Sequence, residues 1–277
     1  MCDGQFANQL GKLHKFRVHT GNINTYVELK LKRYKDSAEE LSACLDIQLQ
    51  ADPLGSQVNV SEDGTFLLCD NAHIDHYERG DLKITLKVFL STWNPEELRE
   101  SVDCLMSELK TKNIELLIIA TPEVEYIDGE SDNEELARWV RLIKPLWEFL
   151  TTLVDSGKVA SLGIAEGTVT QLRALIDEYD VRPTVDHLRH DGCCAVPTEL
   201  KDFADQHSIS LLTHNDPHPF PTTNVFHDFC NIGDSNNDTP TCDPRFKATW
   251  AARYTVWVRC RSIMASKGYL VQFERKE

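Results

Sequence analysis

The sequence predicts an α/β fold in which parallel strands are wrapped by helices. Two observations carry this prediction. Between residues 83 and 212 short apolar runs alternate strictly with amphipathic stretches, and the links between them are short. A third observation is length: 277 residues accommodate one (β/α)8 barrel, which needs roughly 250. The pattern alone fits a barrel or an open doubly wound sheet equally.

Each element has a local reason. Residues 83–90 alternate polar and apolar side chains, as a strand does. Asn94 caps the next helix, with Pro95 in its first turn and Glu97 three positions after the cap; Leu98, Val102, Leu105 and Leu109 repeat at helical spacing. Residues 114–119 form a nearly continuous apolar run, as expected of a strand buried on both faces. A long helix is predicted over 134–154, with Pro145 kinking or splitting it. Strands follow at 159–164, 184–188 and 209–212. The helices between them are a segment capped by Thr168 or Thr170 and carrying Leu172, Leu175 and Ile176, and residues 197–207 with Leu200, Phe203 and Ala204 inward.

The ends are less regular. Residues 1–80 carry helical patterns near 6–19 and 37–50 and a short apolar run at 66–69. Residues 218–245, rich in Pro, Asn, Asp and Thr, read as a mobile insertion. Residues 254–260 and 269–273 read as strands around a Ser266-Lys267-Gly268 turn. The tryptophans Trp139, Trp147, Trp250 and Trp257 read as core or helix-face residues, with one available as an interface anchor. The chain is expected to be one domain.

The net charge of -15 opposes nucleic acid and anionic membranes, whose phosphates it would repel, and favours a partner with a basic patch. The start of the chain has no apolar leader, and no stretch of about 18 apolar residues occurs. The chain is therefore expected to be cytoplasmic, and its nine cysteines to be thiols rather than a disulfide framework.

Several segments resemble the aldo-keto reductases: Asp81 to Lys87, ending in a lysine; Glu115 to Pro122; Gly157 to Gly163; Asp186-His187-Leu188; and Leu211 to His214. Within that superfamily the chain resembles the regulatory (modifier) subunits of glutamate–cysteine ligase. The residues that carry this are Cys193-Cys194, Pro197, Leu200, Phe203-Ala204, Leu211-Leu212-Thr213-His214-Asn215-Asp216-Pro217 and Ser266-Lys267-Gly268-Tyr269-Leu270. The resemblance implies a TIM-type (β/α)8 barrel, aldo-keto reductase-like, with an irregular N-terminal region and a long polar loop near the C-terminus. It implies a non-catalytic subunit that binds the catalytic subunit, increases its affinity for glutamate and relieves feedback inhibition by glutathione.

Reductase chemistry needs a tyrosine proton donor, a lysine that lowers its pKa, an aspartate that orients the lysine and a histidine that places the carbonyl. Only the lysine has a match, Lys87. Ala120 stands at the histidine position and has no hydrogen-bonding group. No Asp-Thr-Ala-x-x-Tyr setting exists, and Asp70 and Tyr77 have the wrong spacing. Ala165-Glu166 replaces the Ser-Asn pair that would hold a nicotinamide, with His187 and His214 at two further cofactor positions. The expectation is thus no catalytic residue and no cofactor, with Lys87 paired to a carboxylate in the barrel interior. The alternative is an NADP-dependent aldo-keto reductase with displaced catalytic residues.

His187-x-x-His190-x-x-Cys193-Cys194 has zinc-ligand types but not the paired, turn-spaced sets of a structural site, so no metal is expected. Cys193 and Cys194 follow a strand on the face where barrels carry functional loops. They are read as candidates for an intersubunit disulfide, against burial as packing residues. His214, Asn215 and Asp216 are read as a partner interface or simply as a turn after a strand.

Overall fold

The computed structural model describes residues 13–51, 59–60, 65–67, 77–189, 196–220 and 246–276. The chain packs as two compact units, residues 1–82 with 220–277 and residues 83–219.

The first unit opens with β1 (Lys15–His19), α1 (Val27–Leu31), α2 (Ser37–Ala51), β2 (Asn59–Val60) and β3 (Thr65–Leu67). The predicted helix over 6–19 is corrected here: residues 15–19 are a strand. Phe16 and Val18 are buried at a spacing of two, and β1 runs antiparallel to a distant partner, Val18 opposite Val271. That long-range pairing overrides the local helical spacing of Leu10, Leu13 and Phe16. The predicted helix at 37–50 does form, and it buries Ala38, Leu41, Cys44 and Leu45 on one face.

The second unit has a strict βα rhythm. Its elements are β4 (Leu82–Leu90), α3 (Pro95–Glu108), β5 (Ile114–Ala120), α4 (Asp132–Asp155), β6 (Val159–Ala165), α5 (Val169–Glu178), β7 (Pro183–Arg189), α6 (Thr198–His207) and β8 (Ser210–His214). The five strands are parallel, each pairing with the next in chain order. The start signals act as predicted. Asn94 Oδ1 accepts from Glu96 N–H at 3.0 Å, and Thr168 and Gln171 cap each other reciprocally at 3.3 and 3.0 Å. Pro145 does not split α4, which runs unbroken over 24 residues. Proline removes one backbone bond, whereas the buried stripe of Trp139, Ile143, Leu146, Trp147, Leu150 and Leu153 continues on both sides of it. Gly163 allows close packing, since a Cβ there would lie 3.1 Å from Ile118 and Val185.

The chain returns to the first unit through β9 (Phe246–Val258) and β10 (Ile263–Arg275), a long antiparallel hairpin. The predicted Ser266-Lys267-Gly268 turn is also corrected. These residues lie inside β10, beside a bulge between Met264 and Ser266, and the reversal comes earlier, at residues 259–262. Gly268 is there for closeness rather than for a turn: a Cβ would meet Gly21 O at 2.2 Å and Tyr254 Oη at 2.4 Å. Phe16 stacks on Phe273 and meets Phe246 edge-on, both at 5.0 Å, and Trp250, Tyr254 and Tyr269 are fully buried. Trp139 and Trp147 are core residues, while Trp257 is 36% exposed. Residues 221–245, most of the expected mobile insertion, lie outside the described residues.

Candidate functional site

Polar side chains from β4, β7 and the ends of β6 and β8 gather in the second unit. Lys87 lies on β4 and is 2% exposed. Its ammonium lies 2.7 Å from Asp216 Oδ2, beyond the end of β8, and 3.3 Å from His187 Nδ1 on β7. Both the lysine and the aspartate are buried, so neither charge has water to fall back on.

The two histidines complete the cluster, their rings 4.4 Å apart at an angle of 61°. Because an ammonium only donates, His187 Nδ1 accepts. His214 Nδ1 accepts from Asp216 N–H at 2.9 Å, which leaves the proton on Nε2 to donate to His187 O, also at 2.9 Å. Glu166 Oε1 sits 2.9 Å from the same Nε2. Burial raises the Glu166 pKa. The hydrogen bond from His214, with the Arg189 N–H, outweighs that effect and leaves the carboxyl below its ordinary range. The Glu166 backbone has φ +60, a left-handed conformation rare for a residue with a side chain. Behind this layer, Asp186 is fully buried and accepts from Gly167 N–H at 3.0 Å. Burial first, and then Glu166, push its carboxyl up to about 7.

In this arrangement the Lys87 ammonium is committed to protein partners. Ala120 ends β5 with only a methyl group, as the sequence showed. The two tyrosines of the second unit are elsewhere: Tyr126 is 86% exposed on a loop, and Tyr179 lies against Trp147. Lys87 is thus held by a carboxylate and an imidazole, not by a phenol whose pKa it could lower. His187, His214 and Asp216 lie close enough to hold a metal ion. Lys87 lies against Asp216 and His187 as a cation, however, and at least three of the four imidazole nitrogens are engaged within the protein. The donor set does not fit a metal.

A cleft of about 240 Å³ opens beside the cluster, with Glu123, Glu135, Glu166, Trp139, Gln171 and His218 in its wall. Three carboxylates there would repel the phosphates of a dinucleotide, and Ala165 cannot hold a nicotinamide amide, so the residues do not fit that cofactor either.

The sequence reading placed Lys87 inside the sheet but missed its partner. Asp216, with His214 and Asn215, reads in sequence as a partner interface or simply as a turn after a strand. Asp216 is instead buried on Lys87 and the His214 side chain is 5% exposed, so only Asn215 of the three points to solvent. An Asn-Asp-Pro turn looks the same in sequence whichever way its carboxylate faces. Cys193, Cys194, His190 and Asp70 lie outside the described residues. Tyr77 is 39% exposed.

A parallel βα sheet with a buried lysine on its first strand defines a class, the aldo/keto reductase scaffold. The aldo/keto reductase family profile matches residues 67–215. The glutamate–cysteine ligase regulatory subunit of Homo sapiens is 31% identical over 275 residues, covering 96% of this chain and 95% of its own length. A D/L-glyceraldehyde reductase of Hypocrea jecorina is 26% identical over 153 residues, 52% of this chain and 45% of its own. The solved aldose reductase of Giardia lamblia is 19% identical, with a TM-score of 0.37, over 50% of this chain and 47% of its own. The chain belongs to the aldo/keto reductase family and, within it, to the glutamate–cysteine ligase regulatory subunits. No helix among the described residues is long and apolar enough to cross a membrane.

Proposed function

We propose that this chain is the non-catalytic regulatory subunit of a cytoplasmic glutamate–cysteine ligase. It binds the catalytic subunit, increases that subunit's affinity for glutamate and relieves its feedback inhibition by glutathione. The observation that carries this reading is kinship with a regulatory subunit over 96% of this chain and 95% of the relative, joined to a Lys87 site closed by Asp216 rather than by a tyrosine.

The mechanism is differential binding. A subunit that binds two states of its partner equally shifts nothing, so this chain must prefer the state with high glutamate affinity. A tenfold gain in affinity needs only about 1.4 kcal/mol of such preference. An intersubunit disulfide through Cys193 or Cys194 would tie the complex to the redox state of its surroundings. Non-reducing gels of the complex made with a Cys193→Ser, Cys194→Ser chain test that part, and an undiminished crosslink would exclude it.

The main test is ligase kinetics with purified catalytic subunit, with and without this chain, at low glutamate and with glutathione present. A lower KM for glutamate and weaker inhibition are expected. Unchanged kinetics with a folded chain and a matched partner would refute the regulatory reading.

A further inference from the structure

The loop joining β5 to α4, residues 121–131, holds two large apolar side chains out in water. Tyr126 is 86% and Ile127 50% exposed, adjacent in sequence. Single exposed apolar residues are ordinary, but a neighbouring aromatic and aliphatic pair on a fixed support is not. The support is built from several contacts. Glu130 accepts from Arg138 Nε at 3.1 Å and also from its Nη2. Glu130 N–H closes a turn onto Ile127 O at 3.2 Å, with Gly129 at φ +79. Glu134 reaches back to Ser131 N–H at 3.0 Å and fixes the start of α4.

The surroundings of this pair say what covers it. Residues 123–135 contain seven carboxylates and no lysine or arginine. Glu130 is matched by Arg138, and Glu134 is used in the cap. Glu123, Glu125, Asp128, Asp132 and Glu135 remain exposed around Tyr126 and Ile127, and two of these, Glu123 and Glu135, continue into the acidic cleft with Glu166. An apolar centre within a charged rim is the anatomy of a protein interface, and tyrosine is an enriched anchor residue. An acidic rim rejects a second copy of a chain with net charge -15 and attracts a basic one.

We propose that residues 121–131 are the surface by which this chain docks on the catalytic subunit. The site they meet bears lysine and arginine side chains around an apolar recess that receives Tyr126. This rests on the regulatory reading above. The loop presents the aromatic anchor already ordered, so little conformational freedom is lost on binding.

The test is a binding titration of purified full-length chain against purified catalytic subunit, at low and high salt. Three variants are compared with the unaltered chain: Tyr126→Ala with Ile127→Ser; Glu123→Gln with Glu125→Gln and Asp128→Asn; and Leu31→Ser, which alters another exposed residue as a control. The anchor variant is expected to weaken binding about tenfold or more. The charge variant should slow association and flatten the salt dependence, and Leu31→Ser should bind normally. If the unaltered chain binds and both loop variants match it in affinity and salt dependence, the proposal is wrong while the regulatory reading stands. If the variants instead abolish self-association of the chain, the occupant is a second copy and the proposal is again wrong. Absence of any binding by the unaltered chain would remove the regulatory reading and this proposal together. Should the anchor variant misfold, the charge variant alone decides between these outcomes.

Discussion

Among the described residues, each unit holds a lysine–carboxylate cluster largely out of water, and the two differ in an informative way. In the second unit, Lys87 and Asp216 are 3% and 1% exposed and joined by two imidazoles. In the first unit, Lys267 and Glu40 are 21% and 15% exposed, 2.6 Å apart, and Tyr269 Oη donates to the same carboxylate. The first-unit cluster holds a tyrosine, a lysine and a carboxylate, the residue types that carbonyl reduction uses, yet it has no reductase character. Tyr269 is fully buried in an antiparallel sheet, and burial first, then Glu40, hold its pKa well above the ordinary value. Cys44 nearby is pushed up to about 12 by burial and Glu40, so it stays a thiol. The second-unit cluster stands where the chemistry would be but lacks the tyrosine. Residue types in one cluster do not make a site: access and pKa direction decide.

If that comparison is right, the fully buried pair should be the more costly to break. Asp216→Ala leaves the Lys87 ammonium buried without its carboxylate and should destabilise the second unit by about 3–5 kcal/mol. Urea denaturation measures this. The double variant Lys87→Met, Asp216→Leu removes both charges and should recover most of the loss, because replacing a buried pair by apolar groups is often neutral. A double variant as unstable as the single one would mean that the cluster acts through shape rather than charge.

The next effect is one of pH. Asp186 has a folded pKa of about 7 against an ordinary 3.8. An acid whose pKa is raised on folding binds more protons folded than unfolded between those values. Its burial is therefore penalty-free below about pH 4, and the penalty grows as pH rises to about 7 and is constant above. Lys87 lowers this pKa and Glu166 raises it. Asp186→Asn keeps an oxygen for Gly167 N–H and removes the titration. It should match the unaltered chain near pH 4 and exceed it in stability by a few kcal/mol at pH 8. Parallel stability curves for the two proteins across that range would show that Asp186 is not the titrating group.

These clusters also mark what the sequence disclosed and what it withheld. Strands β4 to β8 were legible to within a residue or two. Their signals are local: the apolar run of 114–119, the Asn94 and Thr168 caps, and the short links. In the first unit, β1 pairs with β10 from the opposite end of the chain, and no window of neighbouring residues contains that pairing. The same limit applied at the site. Lys87 was readable as an interior residue because its strand is periodic. Asp216 and His214 at the end of β8, His187 on β7 and Glu166 after β6 gather around it only through the fold. The exposure of Tyr126 was equally illegible, since an aromatic within an acidic loop has no periodicity to assign it a face.

The smallest expected effect completes the comparison. Lys267→Met removes the partly exposed cation from Glu40 but leaves Tyr269 donating to that carboxylate, and water can reach the vacated side. Partly solvated pairs contribute little, so the loss should be about 1 kcal/mol, several-fold less than for Asp216→Ala. The same substitution has a second readout. Lys267 is the one resolved influence that lowers the Cys44 pKa, so without it the thiol should react still more slowly with an alkylating reagent at alkaline pH. A loss as large as that at Lys87, with faster alkylation, would mean that α2 has opened. In that case the Glu40 cluster, rather than the packing of Leu41 and Leu45, would be what fastens this helix to the sheet.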